Sequence, residues 1–287
     1  MTAVAVVLGA GVAFAYTAVG GLGTSAQAQA PAPTPTPSAP APRNRTEDGN
    51  VQQSSPAPAT TSTRPVVSTT LPFNAKLTSS DIPVEGGGVR DGACSGSLVA
   101  PEWVVTAGHC FHDIHDVRIG GKPQYHMKVV IGKLKDSDPG GYTAEVVDVR
   151  QSPLNDLAVV KLSTAVNDIV PLTLATKKPA LGQKLQFAGW GSLSATVLAP
   201  SDHLKRGQFT VAKIEPTVLE AEPVVARTVE NSPCPEDSGA PYYVSSDNRT
   251  GTLVAIVNGG PSCPQAGREI IARVDVVSDW IREQTGS

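Results

Sequence analysis

The sequence predicts an all-β fold that ends in one helix. Three observations carry this: short β-type runs recur through its last three-quarters, turn residues separate them, and no amphipathic helical stretch stands between them. The runs fall at 103–106, 127–132, 143–149, 157–162 and 253–257, with breaks at Gly120-Gly121, Pro139-Gly140-Gly141 and Asn258-Gly259-Gly260. Such spacing reads as a sandwich or a barrel. The helix is expected at the very end, with Asp275 as its cap and Val276, Val277, Trp280 and Ile281 on one face at i, i+4 spacing.

Ahead of the strands the composition changes twice. No charged residue precedes Arg43, and residues 3–19 are almost wholly apolar, followed by small and polar residues up to Ala28-Gln29-Ala30. This is the order of a secretory signal, expected over 1–30 with cleavage after Ala30. No Lys or Arg precedes the apolar run, and the rival reading is an uncleaved anchor, the one route to a membrane expected here, at the short end of spanning length. Residues 31–73 are rich in Pro, Ala, Ser and Thr and hold 10 of the 25 prolines. They read as a disordered linker or pro-segment, because they lack the apolar surface that offsets ordering entropy. The remaining 74–287 form the expected folded domain. A formal net charge of −3 over 287 residues argues against a nucleic-acid binder. A mean hydropathy of −0.06 excludes a multi-span membrane protein.

Four cysteines, Cys94, Cys110, Cys234 and Cys263, lie in the β-rich part. An even count behind a signal-like segment suggests two disulfides and a secreted, extracellular protein. Three pairings are open. The sequence-local one gives Cys94–Cys110 and Cys234–Cys263, each stabilising by about 3 kcal/mol in the chain-entropy model. No Cys-x-x-Cys spacing points to zinc. The stretch from His109 to Asp116 and the Asp136-Ser137-Asp138 stretch both read better as turns than as metal sites, so neither a metal nor another cofactor is expected.

Three stretches carry chemistry: Val104-Val105-Thr106-Ala107-Gly108-His109-Cys110, Asn155-Asp156-Leu157-Ala158-Val159-Val160, and Cys234-Pro235-Glu236-Asp237-Ser238-Gly239-Ala240-Pro241. Alone, each has an ordinary reading as a core His, a turn or a loop. Together they stand in the order His, Asp, Ser, and cysteines flank the first and third. With Cys94-Ser95-Gly96-Ser97-Leu98, Phe187-Ala188-Gly189-Trp190-Gly191 and the closing Ala272-Arg273-Val274 before Trp280-Ile281, the chain resembles a secreted, trypsin-like serine protease of the chymotrypsin fold, of bacterial, actinobacterial type.

That resemblance implies two packed six-stranded antiparallel β-barrels with the site between them. It implies His109, Asp156 and Ser238 as the catalytic triad, with the backbone N–H groups of Glu236 and Ser238 as the oxyanion hole. It also implies a disulfide beside the His turn, Cys94–Cys110, and one beside the Ser loop, Cys234–Cys263. The substrate pocket maps to Ser232 at its base, to Asn258, Gly259 and Gly260 on its wall, and to Glu269. Partners would be protein or peptide substrates and proteinaceous inhibitors, and the chain is expected to be a monomer.

Four departures stand out against the family pattern. Glu236 replaces a glycine of the oxyanion hole. Ser232 carries no charge to select a basic substrate residue. Glu269 stands where a small residue is usual, and would either face the pocket and restore a basic preference or pair with Arg268 and block the slot. No Ile-Val-Gly-Gly start stands at the right distance ahead of Cys94, Ile82-Pro83-Val84-Glu85-Gly86-Gly87 being only an echo of one; Asp237 is therefore expected to pair with an internal Arg or Lys. The alternative reading is a catalytically impaired homologue acting as an exported binding protein.

Overall fold

The computed structural model describes residues 65–287. The expected signal segment and the linker as far as residue 64 lie outside the described residues. The β-type runs become strands because branched and aromatic side chains fit a pleated, half-buried surface.

The first six strands are β1 (Asn74–Pro83), β2 (Val89–Ala100), β3 (Trp103–Ala107), β4 (Lys128–Ile131), β5 (Tyr142–Gln151) and β6 (Leu157–Leu162). They close into an antiparallel barrel in the order β1-β2-β3-β6-β5-β4. In β5 the period of two is plain: Ala144 and Val146 are buried, and Thr143 and Glu145 between and beside them are exposed. β6 is buried on both faces except at Lys161.

The second set is β7 (Thr173–Leu174), β8 (Lys184–Gly189), β9 (Lys205–Ile214), β10 (Val218–Pro223), β11 (Pro241–Val244), β12 (Thr252–Gly259) and β13 (Glu269–Arg273). Their order is β11-β8-β9-β10-β13-β12-β7, and the additional pairing of β11 with β12 closes six of them into the second barrel. The short β7 lies outside that ring, parallel to β12. Phe187, Phe209 and Tyr242 fill the second barrel, with ring centroids 5.2 to 6.2 Å apart. The core of the first barrel continues without a break into Trp190, Tyr243 and Ile256 of the second half. Phe73 meets Tyr243 edge-on at 5.3 Å across this seam.

The chain closes with a helix, α1 (Ser278–Thr285), but Asp275 does not cap it. Both Asp275 carboxylate oxygens are taken by the Arg273 guanidinium, at 3.0 and 2.6 Å, a charge-assisted fork stronger than a neutral cap. Val277 takes the cap position, without a side-chain hydrogen bond. Ile281 is buried, and Arg150 on β5 donates to the Gln284 carbonyl at 2.6 Å, which ties the helix to the first barrel.

Packing begins before Asn74. Leu71 and Phe73 are fully buried, and the N–H of Gly141 donates to the Val66 carbonyl at 2.7 Å. The echo at 82–87 is the end of β1 and the hairpin into β2, where Ile82 pairs with Arg90. A chain start there would delete most of barrel strand β1.

Candidate active site

His109 sits in a tight turn, Gly108–Cys110, directly after β3. Cys110 is bonded to Cys94 on β2. Gln151 Nε2 donates to the carbonyls of Gly108 and Ile119, at 2.9 Å each, and Tyr125 Oη donates to the Cys110 carbonyl at 2.6 Å. Asp156 stands just ahead of β6, where Asn258 Nδ2 on β12 donates to its carbonyl at 3.2 Å. Ser238 belongs to the turn before β11, and the Ser95 N–H on β2 donates to its carbonyl at 2.8 Å. The three side chains thus come from both barrels and meet at the seam.

Their geometry is an unbroken relay. His109 Nδ1 lies 2.6 Å from Asp156 Oδ2, and His109 Nε2 lies 2.7 Å from Ser238 Oγ. An ionised carboxylate only accepts, so Nδ1 carries the proton. In the neutral ring Nε2 is then the acceptor for the Ser238 hydroxyl. Asp156 Oδ1 also accepts from the His109 backbone N–H at 2.8 Å, which locks the carboxylate in the ring plane's reach. Burial pushes the Asp156 carboxyl up, but the hydrogen bonds and charge of His109, with Arg118 beside it, outweigh burial and hold it below its ordinary value.

The loop that carries Ser238 is pinned from below by a buried ion pair. Asp237 and Lys205 are both wholly inaccessible and in contact. Asp237 also accepts from the N–H groups of Cys234 and Gly191, at 2.9 and 2.7 Å. Burial pushes the Asp237 carboxyl up, against the pull of Lys205 and these donors. Lys205 donates further to the carbonyls of Ser232 and Ser192, at 3.1 and 3.3 Å. A Cβ on Gly189 or Gly191 would collide with the Asp237 carboxylate, which explains the glycines on either side of Trp190. The expected internal cation is therefore Lys205.

Glu236 has φ +73°, the left-handed region that a glycine enters freely. Among the described residues, no hydrogen bond occupies the backbone N–H of Glu236 or of Ser238. The Glu236 side chain lines a separate cavity of about 510 Å³, together with Asp81, Asp91 and Leu198. Burial, and then the neighbouring Asp237, push its carboxyl up to about 6.

Beside Ser238 lies a cavity of about 230 Å³, lined by Asn258, Gly259, Gly260, Pro233 and Glu269, among others. Four of the five expected pocket residues are therefore brought together. Ser232 is the exception. It is fully buried behind the cavity, and its hydroxyl turns away to the Thr228 carbonyl at 2.5 Å. Glu269 faces inward and does not pair with Arg268, which reaches Glu220 and Glu222 on the surface. Its partner is Arg227, whose Nη1 lies 2.5 Å from Glu269 Oε1, with both side chains almost wholly buried. This is a close charge contact rather than an aligned hydrogen bond, since neither of those two atoms meets hydrogen-bond geometry. Burial pushes the Glu269 carboxyl up to about 7, and Arg227 pulls it back. Both disulfides have the sequence-local pairing, Cys94–Cys110 and Cys234–Cys263.

Arg118, Lys205 and Arg227 escape sequence reading. Only Lys205 left a trace: it shares the inward register of Phe209 and Val211 on β9, where a cation is out of place unless paired.

Two closed antiparallel barrels with a His–Asp–Ser array at their seam define a serine-protease scaffold. The family model for trypsin matches residues 61–281, and the chain belongs to that family. Trypsin 5G1 of Aedes aegypti is 30% identical over 217 residues, covering 67% of this chain and 75% of that protein. A collagenase of Hypoderma lineatum is 27% identical over 207 residues, covering 67% and 76%. The solved structure of mouse neuropsin, a serine protease expressed in the limbic system, matches with a TM-score of 0.57 at 21% identity. It covers 77% of this chain and 97% of its own, and shows the shared fold.

Proposed function

We propose that this protein is a secreted serine endopeptidase acting through His109, Asp156 and Ser238, on protein or peptide substrates. The single observation that carries the proposal is the relay from Asp156 through His109 to the Ser238 hydroxyl, beside two backbone N–H groups with no partner among the described residues.

In the first half-reaction His109 Nε2 takes the hydroxyl proton as Ser238 Oγ bonds to the scissile carbonyl carbon. Asp156 holds the ring in the required tautomer and stabilises the imidazolium. The carbonyl oxygen gains negative charge where the N–H groups of Glu236 and Ser238 point, each donor contributing about 2.7–4 kcal/mol in well-studied cases. His109 then protonates the leaving amine, the C–N bond breaks, and an ester to Ser238 remains. Water, deprotonated by the same nitrogen, releases the acid and restores the hydroxyl.

The internal Lys205–Asp237 pair supports a bacterial-type enzyme that needs no new amino terminus, although the relatives named above are animal proteins. The signal-like residues 1–30 support export, and the Pro-rich 31–73 a linker or pro-segment ahead of the catalytic domain. The impaired-homologue alternative draws no support from this geometry, because Glu236 leaves the relay whole.

A fluorophosphonate probe tests the reading. It is expected to label the folded protein covalently at Ser238, and Ser238→Ala is expected to abolish labelling. Absence of labelling on folded, disulfide-bonded protein would refute it.

A further inference from the structure

The cavity beside Ser238 contains one carboxylate, and that carboxylate is already answered. Glu269 presents one oxygen to Arg227. Its other oxygen reaches Gly260 on the cavity wall so closely that a Cβ there would strike it. Arg227 stands behind the cavity and donates through Nη2 to the carbonyl of Pro233, itself a lining residue, at 3.2 Å. Ser232, also behind the cavity, contributes no charge. The base therefore holds one anion and one cation in contact, out of reach of solvent. In so poorly screened a place, a lone carboxylate would attract a substrate ammonium or guanidinium strongly. A carboxylate in contact with its own guanidinium leaves no net charge to attract one. A charged substrate side chain would have to break the pair or enter uncompensated, and either is costly.

We infer that Arg227 determines specificity: by neutralising Glu269 it makes the cavity accept uncharged side chains at the residue preceding the scissile bond, and reject Lys and Arg. The inference rests on the peptidase reading above and names the substrate class of that same site. Arg227 acts through Glu269, so it is a positioning residue, and selectivity rather than overall rate is what it moves.

The test is a peptide library varied at the residue preceding the scissile bond, run on the full chain with active sites first counted by the fluorophosphonate probe. If the wild type takes no probe, it is the peptidase reading that fails. If it takes probe, kcat/KM for uncharged residues should exceed that for Lys or Arg by about tenfold or more. Arg227→Met should reverse the order in favour of Lys and Arg, increasingly so as pH rises, because loss of Arg227 raises the buried Glu269 carboxyl further and only its ionised form attracts them. Should Arg227→Met not fold with its unpaired carboxylate, Arg227→Met combined with Glu269→Leu removes both charges and should keep the uncharged preference. Glu269→Gln, which leaves Arg227 alone, should raise cleavage after Asp and Glu. A probe-reactive wild type that prefers Lys or Arg would overturn the inference. So would single variants whose profiles match the wild type.

Discussion

Under the proposed function, Glu236 is the residue expected to tune the catalytic rate. A side chain at φ +73° carries a strain of roughly 1–2 kcal/mol that glycine would avoid. Its carboxyl is pushed up to about 6 by burial and by Asp237, so it is neutral in mild acid and charged at neutral pH. Its backbone N–H is one of the two donors proposed for the oxyanion, so a negative charge on the same residue is expected to oppose the reaction even though its side chain lies in the separate cavity. Glu236→Gln keeps the side-chain size and removes only this charge. Its kcat/KM is expected to match the wild type below pH 6 and exceed it above, and the ratio of the two pH profiles checks this. Stability follows the same sign. A carboxyl whose pKa is raised in the folded state contributes stability that is full below the unfolded value and is lost as pH rises through about 6. Glu236→Gln should therefore unfold at a higher denaturant concentration than the wild type only above that range. The strain remains in the Gln variant, and Glu236→Gly would relieve it as well.

Two elements hold the Ser238 loop. The first is the Lys205–Asp237 pair, which joins β9 to the residue before the nucleophile. Lys205→Met leaves a buried carboxylate without its partner, at an expected cost on the order of 3–5 kcal/mol. Urea unfolding should read that loss, and Lys205→Met combined with Asp237→Asn should recover most of it. The second is the Cys234–Cys263 disulfide, with a sequence separation of 29, whose removal should cost roughly 3–4 kcal/mol in the chain-entropy model. Cys263 and Cys234 both line the cavity beside Ser238. Replacing this pair by Ala should lower kcat/KM at a temperature where the protein is still folded. Loss of Cys94–Cys110 should lower stability in the same assay, and it acts on the His turn rather than on the cavity wall.

At the scale of the molecule, the site exists because two barrels share one apolar seam. β3 and β6 bring His109 and Asp156 to it from one side, and the turn before β11 brings Ser238 from the other. Since Lys205 pairs with Asp237 from within the fold, a free amino terminus is expected to have no part in shaping the site. Extending or acetylating the chain ahead of Pro65 should therefore leave kcat unchanged, as steady-state assays of the two forms would show. A large rise on N-terminal cleavage would contradict this.

Much of this was legible in the sequence because it is local. The strand runs depend on side chains two residues apart, and the three catalytic stretches each lie within a few residues of a strand end or a cysteine. The all-β class, the triad candidates and the local disulfide pairing follow from such short-range patterns and from family resemblance. The cap at Asp275 failed because a nearby guanidinium competed for it, and Ser232 does not line the cavity because its hydroxyl is held by the Thr228 carbonyl. What only the tertiary structure decided is which charges meet. Lys205 with Asp237, and Arg227 with Glu269, are far apart in the chain and come together through strand register and barrel closure. An ion pair is a property of distance and burial, and neither is written in the order of residues until the barrels have closed.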